Sequence, residues 1–76
     1  MAASQLPLAM AGTDEVVRVA GIRGTADLRQ HLAELGFVDG AEIRVVSRAA
    51  GDVIVIVKGA RLALNRSMAS HITVSI

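Results

Sequence analysis

Apolar positions recur along this chain with two periods, and the change from one to the other divides it into elements. Leu28, Leu32 and Leu35 fall within about 60° of one another at roughly 100° per residue, one apolar stripe of an α-helix. Arg29, Gln30, Ala33 and Glu34 point elsewhere, and His31 sits on the border of the stripe. Thr25 or Asp27 can cap the N-terminus by accepting a hydrogen bond from an otherwise unpaired N–H. Gly36 follows the last stripe residue, where a left-handed C′ position favours glycine, and Phe37 then lands at C″, placed to pack back on the last turn. Leu28 to Gly40 therefore predicts a short amphipathic helix, a hard stop and the turn into the next strand.

Elsewhere the period is two. Leu6, Leu8 and Met10 alternate with Pro7 and Ala9, a strand that Pro7, lacking an N–H, confines to an edge. Glu15–Ala20 turns Val17 and Val19 to one face and Val16 and Arg18 to the other; Gly21–Gly24 reads as a loop. Ala41–Arg48 is a strand with Ile43, Val45 and Ser47 on one face and Glu42 and Arg44 facing water. Val53–Lys58 is β-branched over its first five positions, the strongest strand signal in the chain. Arg61–Asn65 places Leu62 and Leu64 together, Arg66–His71 is at most a helical turn, and Ile72, Val74 and Ile76 alternate in a final strand. Turn chemistry at Gly12–Asp14, Ala49–Asp52 and Gly59-Ala60 keeps these connections short. Strands so closely spaced pair antiparallel, and a small sheet curls to protect its edges. The expected fold is mainly β with one inserted α-helix, a small antiparallel β-barrel.

Val53 to Val57 is apolar on both faces, whereas a small barrel buries only one. Either the segment around Leu6–Met10 covers the outer face or a partner does.

Seventy-six residues make a single domain, 1–76, with a net stability of only about 4–11 kcal/mol. No cysteine is present, so no disulfide or thiolate site holds the fold. No run approaches the ~18 apolar residues that cross a bilayer. The start, MAASQLPLAMAG, also lacks the basic n-region of a signal peptide, so the expectation is a cytoplasmic protein without direct membrane insertion. Eight basic residues are scattered and the net charge is +1, a weak footing for nucleic acid. With Phe37 as the one aromatic, stacking on bases and docking of Pro-rich peptides are both poorly equipped.

The chemistry is sparse. His31 and His71 are too few for a zinc site, and His31 with Asp27 is a surface pair at helical spacing. Ser47, Ser67, Ser70 and the threonines lie in no motif that activates a hydroxyl. Gly21-x-x-Gly24 lacks the Lys-Ser/Thr of a P-loop, and Arg23, Arg29, Arg61 and Arg66 read as solvated. No catalytic, cofactor or metal residue is assigned; the chain reads as an interaction module rather than an enzyme.

The same residues resemble the FeoA family, the small cytosolic component of bacterial ferrous iron transport. The resemblance covers almost the whole chain. It rests on Arg29-x-x-Leu32-x-x-Leu35-Gly36-Phe37-x-x-Gly40 with Ile43-x-Val45, on Gly51-Asp52, on Gly59-x-x-Leu62-Ala63-Leu64 and on Ala69-x-x-Ile72-x-Val74. Asp39 and Val53 stand where prolines are common in the family, which bears on turn geometry. The resemblance implies an SH3-like barrel and a role as adaptor of FeoB, a membrane transporter with a cytoplasmic GTPase domain. Stimulation of FeoB's GTP hydrolysis is the alternative, as is kinship with the C-terminal domain of iron- and manganese-dependent repressors. The absence of a helix-turn-helix segment favours a free-standing adaptor. No iron ligands are implied, and oligomeric state stays open. The expected partner-binding surface is His31, Phe37 and Val38 together with the outer face at Val53, Val55 and Val57.

Overall fold

A computed structural model describes residues 4–76. Six strands, β1 (Gln5–Pro7), β2 (Val16–Ile22), β3 (Glu42–Ala49), β4 (Asp52–Val57), β5 (Ala60–Leu64) and β6 (Ile72–Ser75), form one antiparallel sheet in the order β1-β6-β2-β3-β4-β5. Helix α1 (Ala26–Glu34) lies between β2 and β3, and α2 (Arg66–Ser70) between β5 and β6. The edges β1 and β5 are not paired, so the sheet curls around its core without closing. The architecture is mainly β, as the period-two pattern requires.

Helix α1 is set by its two ends. The Thr25 hydroxyl accepts the Leu28 N–H at 3.2 Å, which settles the choice of cap. At the other end Gly36 has φ +112°; its N–H donates to Ala33 O and the Phe37 N–H donates to Leu32 O, both at 3.0 Å. These are the two bonds of a Schellman stop, and Leu32 and Phe37, its C3 and C″ residues, are both fully buried. Leu28 and Leu35 are half-buried, so Leu32 is the one residue of α1 wholly inside the core.

The strand faces follow the alternation with two informative departures. Val17, Val19, Ile43, Val45, Leu64, Ile72 and Val74 point inward as expected. On β3, however, the register slips between Val45 and Ser47, so Val46 is a bulge. Ser47 then pairs with Ile54 and Arg48 with Val53, which moves Ser47 off the face of Ile43 and Val45 and puts Arg48, still exposed, on the face of Val53. A strict period of two cannot register this insertion. On β2 a second slip at Ala20 carries the strand through Gly21 and Ile22, where a loop was expected, because Ile22 gains Ile72 as its partner.

The N-terminal stretch departs more. Only Gln5–Pro7 is strand, at the sheet edge against β6, and Leu8–Met10 is a 3-10 turn. Pro7 has no N–H to extend the ladder, and the chain turns inward after it. Leu8 and Ala11 enter the core at 0% exposure while Met10, expected on the buried face, is 71% exposed. Instead of lying over β4, this segment packs on α2 and β6 along the open side of the sheet. Arg48 ties it to β3 as well: Nη1 donates to Ala9 O at 2.7 Å and Nη2 donates to Ala11 O.

Two hairpins complete the sheet with two-residue turns, Ala50-Gly51 and Lys58-Gly59, in which both residues have positive φ. This is the turn geometry whose twist matches that of the strands.

Leu32→Ala is expected to lower the unfolding free energy by about 2–5 kcal/mol, measured by urea denaturation. Gly36→Val is expected to cost about 1–3 kcal/mol through backbone strain, since a Cβ there meets only ordinary contacts from Lys58 and Val57 at 3.5 Å. Superimposable unfolding curves for wild type and either variant would show that the helix stop does not anchor α1.

Candidate functional site

Helix α1 packs on the core through Leu32, with Leu28 partly buried beside it, and its flank at Ala26 and Ala33 leaves a groove against β2. Ala26, Arg29, Gln30 and Ala33, spaced as one helical face, form one wall. Ala20, Gly21 and Ile22 of β2 form the other, and Phe37, Val38 and Asp39 close the end below the helix stop. The groove has a volume of about 640 Å³ and is open to solvent. Its depth comes from what the walls lack: alanines stand on both sides, and a Cβ at Gly21 would meet nothing within 4 Å. Arg29 and Asp39 give it one charge of each sign and Gln30 an amide, so the trough is lined by small apolar side chains and polar ones in about equal measure.

The six residues expected to contact a partner separate into two groups. Val38, 40% exposed, lines the groove; His31 is exposed on α1 but does not line it. Phe37 belongs to the groove's end yet is itself fully buried beneath it. Val53, Val55 and Val57 are corrected: all three are core residues, 1%, 0% and 1% exposed, and have no surface to offer. The outward face of β4 belongs to Ile54 and Ile56, both half-buried. A run that is apolar at every position carries no parity, so the pattern could not say which set faced in.

The groove walls themselves escaped the sequence reading because alanine and glycine give no periodic signal; only the position of Ala33 off the apolar stripe hinted at them. Among the described residues no three His, Cys, Asp or Glu side chains gather as a metal site, and no helix is long and apolar enough to cross a membrane. What the arrangement offers is shape: a trough able to take an apolar side chain or two from another polypeptide.

Comparison with known proteins gives the setting. A family model described as FeoA domain matches residues 6–76. A crystal structure of an iron uptake regulatory protein (FeoA) is 30% identical, covers 96% of this chain and 99% of its own, and superposes with a TM-score of 0.86. FeoA of Stenotrophomonas maltophilia, described as a prokaryotic SH3 domain protein and complexed with zinc, is 27% identical. That likeness covers 88% of this chain and 86% of the other, with a TM-score of 0.77. A manganese-dependent transcriptional repressor in complex with manganese is 25% identical with a TM-score of 0.85, covering 95% of this chain and 37% of that one. No curated protein matches the chain.

The core and groove assignments separate in a simple test. Val38→Ser is expected to change stability by no more than about 0.5 kcal/mol, whereas Val55→Ala is expected to cost about 1.5–3 kcal/mol. Thermal or urea unfolding reads both, and equal losses would put Val38 in the core.

Proposed function

The chain belongs to the FeoA domain family, and on that premise we propose that it is a non-catalytic, cytoplasmic adaptor of ferrous iron transport that docks on a FeoB-like membrane GTPase transporter and modulates Fe(II) uptake or assembly. Family membership supplies the association with ferrous iron transport; the SH3-like fold of the relatives says nothing by itself about mechanism. The observation that carries the docking role is the open trough between α1 and β2. Small side chains on both walls leave room there for a side chain of another polypeptide, and the polar groups at its margin can orient it.

In this reading Val38 and the flank of α1 at Ala26 and Ala33 receive an apolar side chain of the transporter's cytoplasmic part, and Arg29 and Asp39 fix its approach. Ala33→Arg would fill the trough with a charged side chain while α1, exposed at this position, keeps its helix. The expected result is loss of transporter recovery when the variant is used as bait on membranes from iron-starved cells, with an unchanged melting temperature. Full recovery by Ala33→Arg and by Val38→Asp would exclude the trough as the contact. If wild type fails to recover a transporter shown to be present, the adaptor role itself falls.

A further inference from the structure

The outer face of the sheet bears a second feature, on the opposite side of the strands from the core. Register places Val16 of β2 opposite Arg44 of β3, Arg44 opposite Ile56 of β4, and Ile56 opposite Arg61 of β5. These four residues form one row across four strands, apolar and cationic by turns. Val16 is 52% exposed, Arg44 and Arg61 are exposed, and Ile56 is half-buried between the two arginines. Neighbouring strands lie about 4.8 Å apart, so Arg44 and Arg61 are rooted roughly 10 Å from one another with Ile56 midway.

The charges of this row are unbalanced. The ion pair formed among the described residues on this face is Arg18–Glu42 at 3.8 Å; neither Arg44 nor Arg61 forms one. Lys58, exposed in the β4–β5 turn, adds a third cation beside Arg44 and Ile56. A depression of about 480 Å³ runs there, lined by Ala41, Glu42, Arg44, Ile56, Lys58 and Gly59, with Glu42 already engaged by Arg18. Arg44 and Arg61 thus stand as two exposed like charges on either side of an apolar residue. They are matched by a surface of opposite sign with an apolar group at its centre.

We propose that this row is a docking site for an acidic segment of a partner protein, an extended stretch in which carboxylates flank an apolar side chain. In an extended chain alternate residues share a face about 7 Å apart, so the apolar side chain would sit on Ile56 while the carboxylates on either side reach the Arg44 and Arg61 guanidiniums. Arginine suits this role because its planar fork pairs with a carboxylate through two parallel hydrogen bonds. The site is separate from the trough beside α1 and stands or falls without it.

The test uses the full chain, isotopically labelled, titrated by NMR with the peptide acetyl-Glu-Ser-Leu-Ser-Glu-amide. Saturable shifts at Val16, Arg44, Ile56 and Arg61 are expected, weakening as salt is raised. Replacing both glutamates of the peptide by glutamine, which leaves the protein untouched, is expected to weaken binding about tenfold; so is the double variant Arg44→Gln, Arg61→Gln. No saturable shift, shifts confined to the α1 trough, or binding indifferent to the charge of either partner would each overturn the proposal. Retention of the chain on phosphatidylglycerol vesicles in an Arg44- and Arg61-dependent manner, with no response to the peptide, would assign the row to a lipid surface and overturn it equally.

Discussion

The fold hangs on how one helix is made to stop. Gly36, at φ +112°, lets the N–H groups of Gly36 and Phe37 turn back onto Ala33 and Leu32, and this reversal drives the only aromatic ring of the chain into the core. A side chain with a Cβ resists that backbone region, and a helix continuing past Leu35 would carry Phe37 away from Leu32. The stop also fixes the trough, because the segment that follows it, Val38-Asp39, forms the trough's end wall. One left-handed residue thus links the helix, the core and the candidate docking surface.

How far this was legible in the sequence depended on whether each signal was local. The helix stop was legible, since Gly-Phe directly after a leucine stripe has one geometric meaning. The inward face of β2, β5 and β6 was legible from alternation with polar residues. The face of β4 was not: Val53, Ile54, Val55, Ile56 and Val57 read equally well either way, and the wrong set was assigned to the surface. The bulge at Val46 was invisible for the same reason, as a valine beside a valine gives no sign that one of them is surplus. The trough was silent because its walls are alanines and glycine, whose contribution is the volume they leave empty.

Long-range polar contacts were the other blind spot. Arg48 looks in the sequence like a strand-end charge. The Val46 bulge puts it on the face of Val53, and its guanidinium reaches the carbonyls of Ala9 and Ala11, groups that no side-chain pattern can announce. That contact holds the N-terminal segment to β3, while the buried Leu8 and Ala11 hold it against α2 and β6. The family resemblance located the fold, but it could not supply this arrangement, which depends on Pro7 ending the ladder where it does.

The strand order carries a consequence for how the chain is assembled. β3, β4 and β5 are successive hairpins joined by two-residue turns, and their pairings close loops of only a few residues. β6, the sixth of these strands along the chain, sits between β1 and β2, and its pairing joins Gln5 to Ser75. Short loops close at little entropic cost and long ones at more, so the meander can form early while the other half of the sheet must wait for its final strand. During synthesis the edge of β2 and the apolar side chains of Val17 and Val19 stay uncovered until Ile72 and Val74 arrive, which leaves them open to wrong partners for the whole interval in which the meander is made.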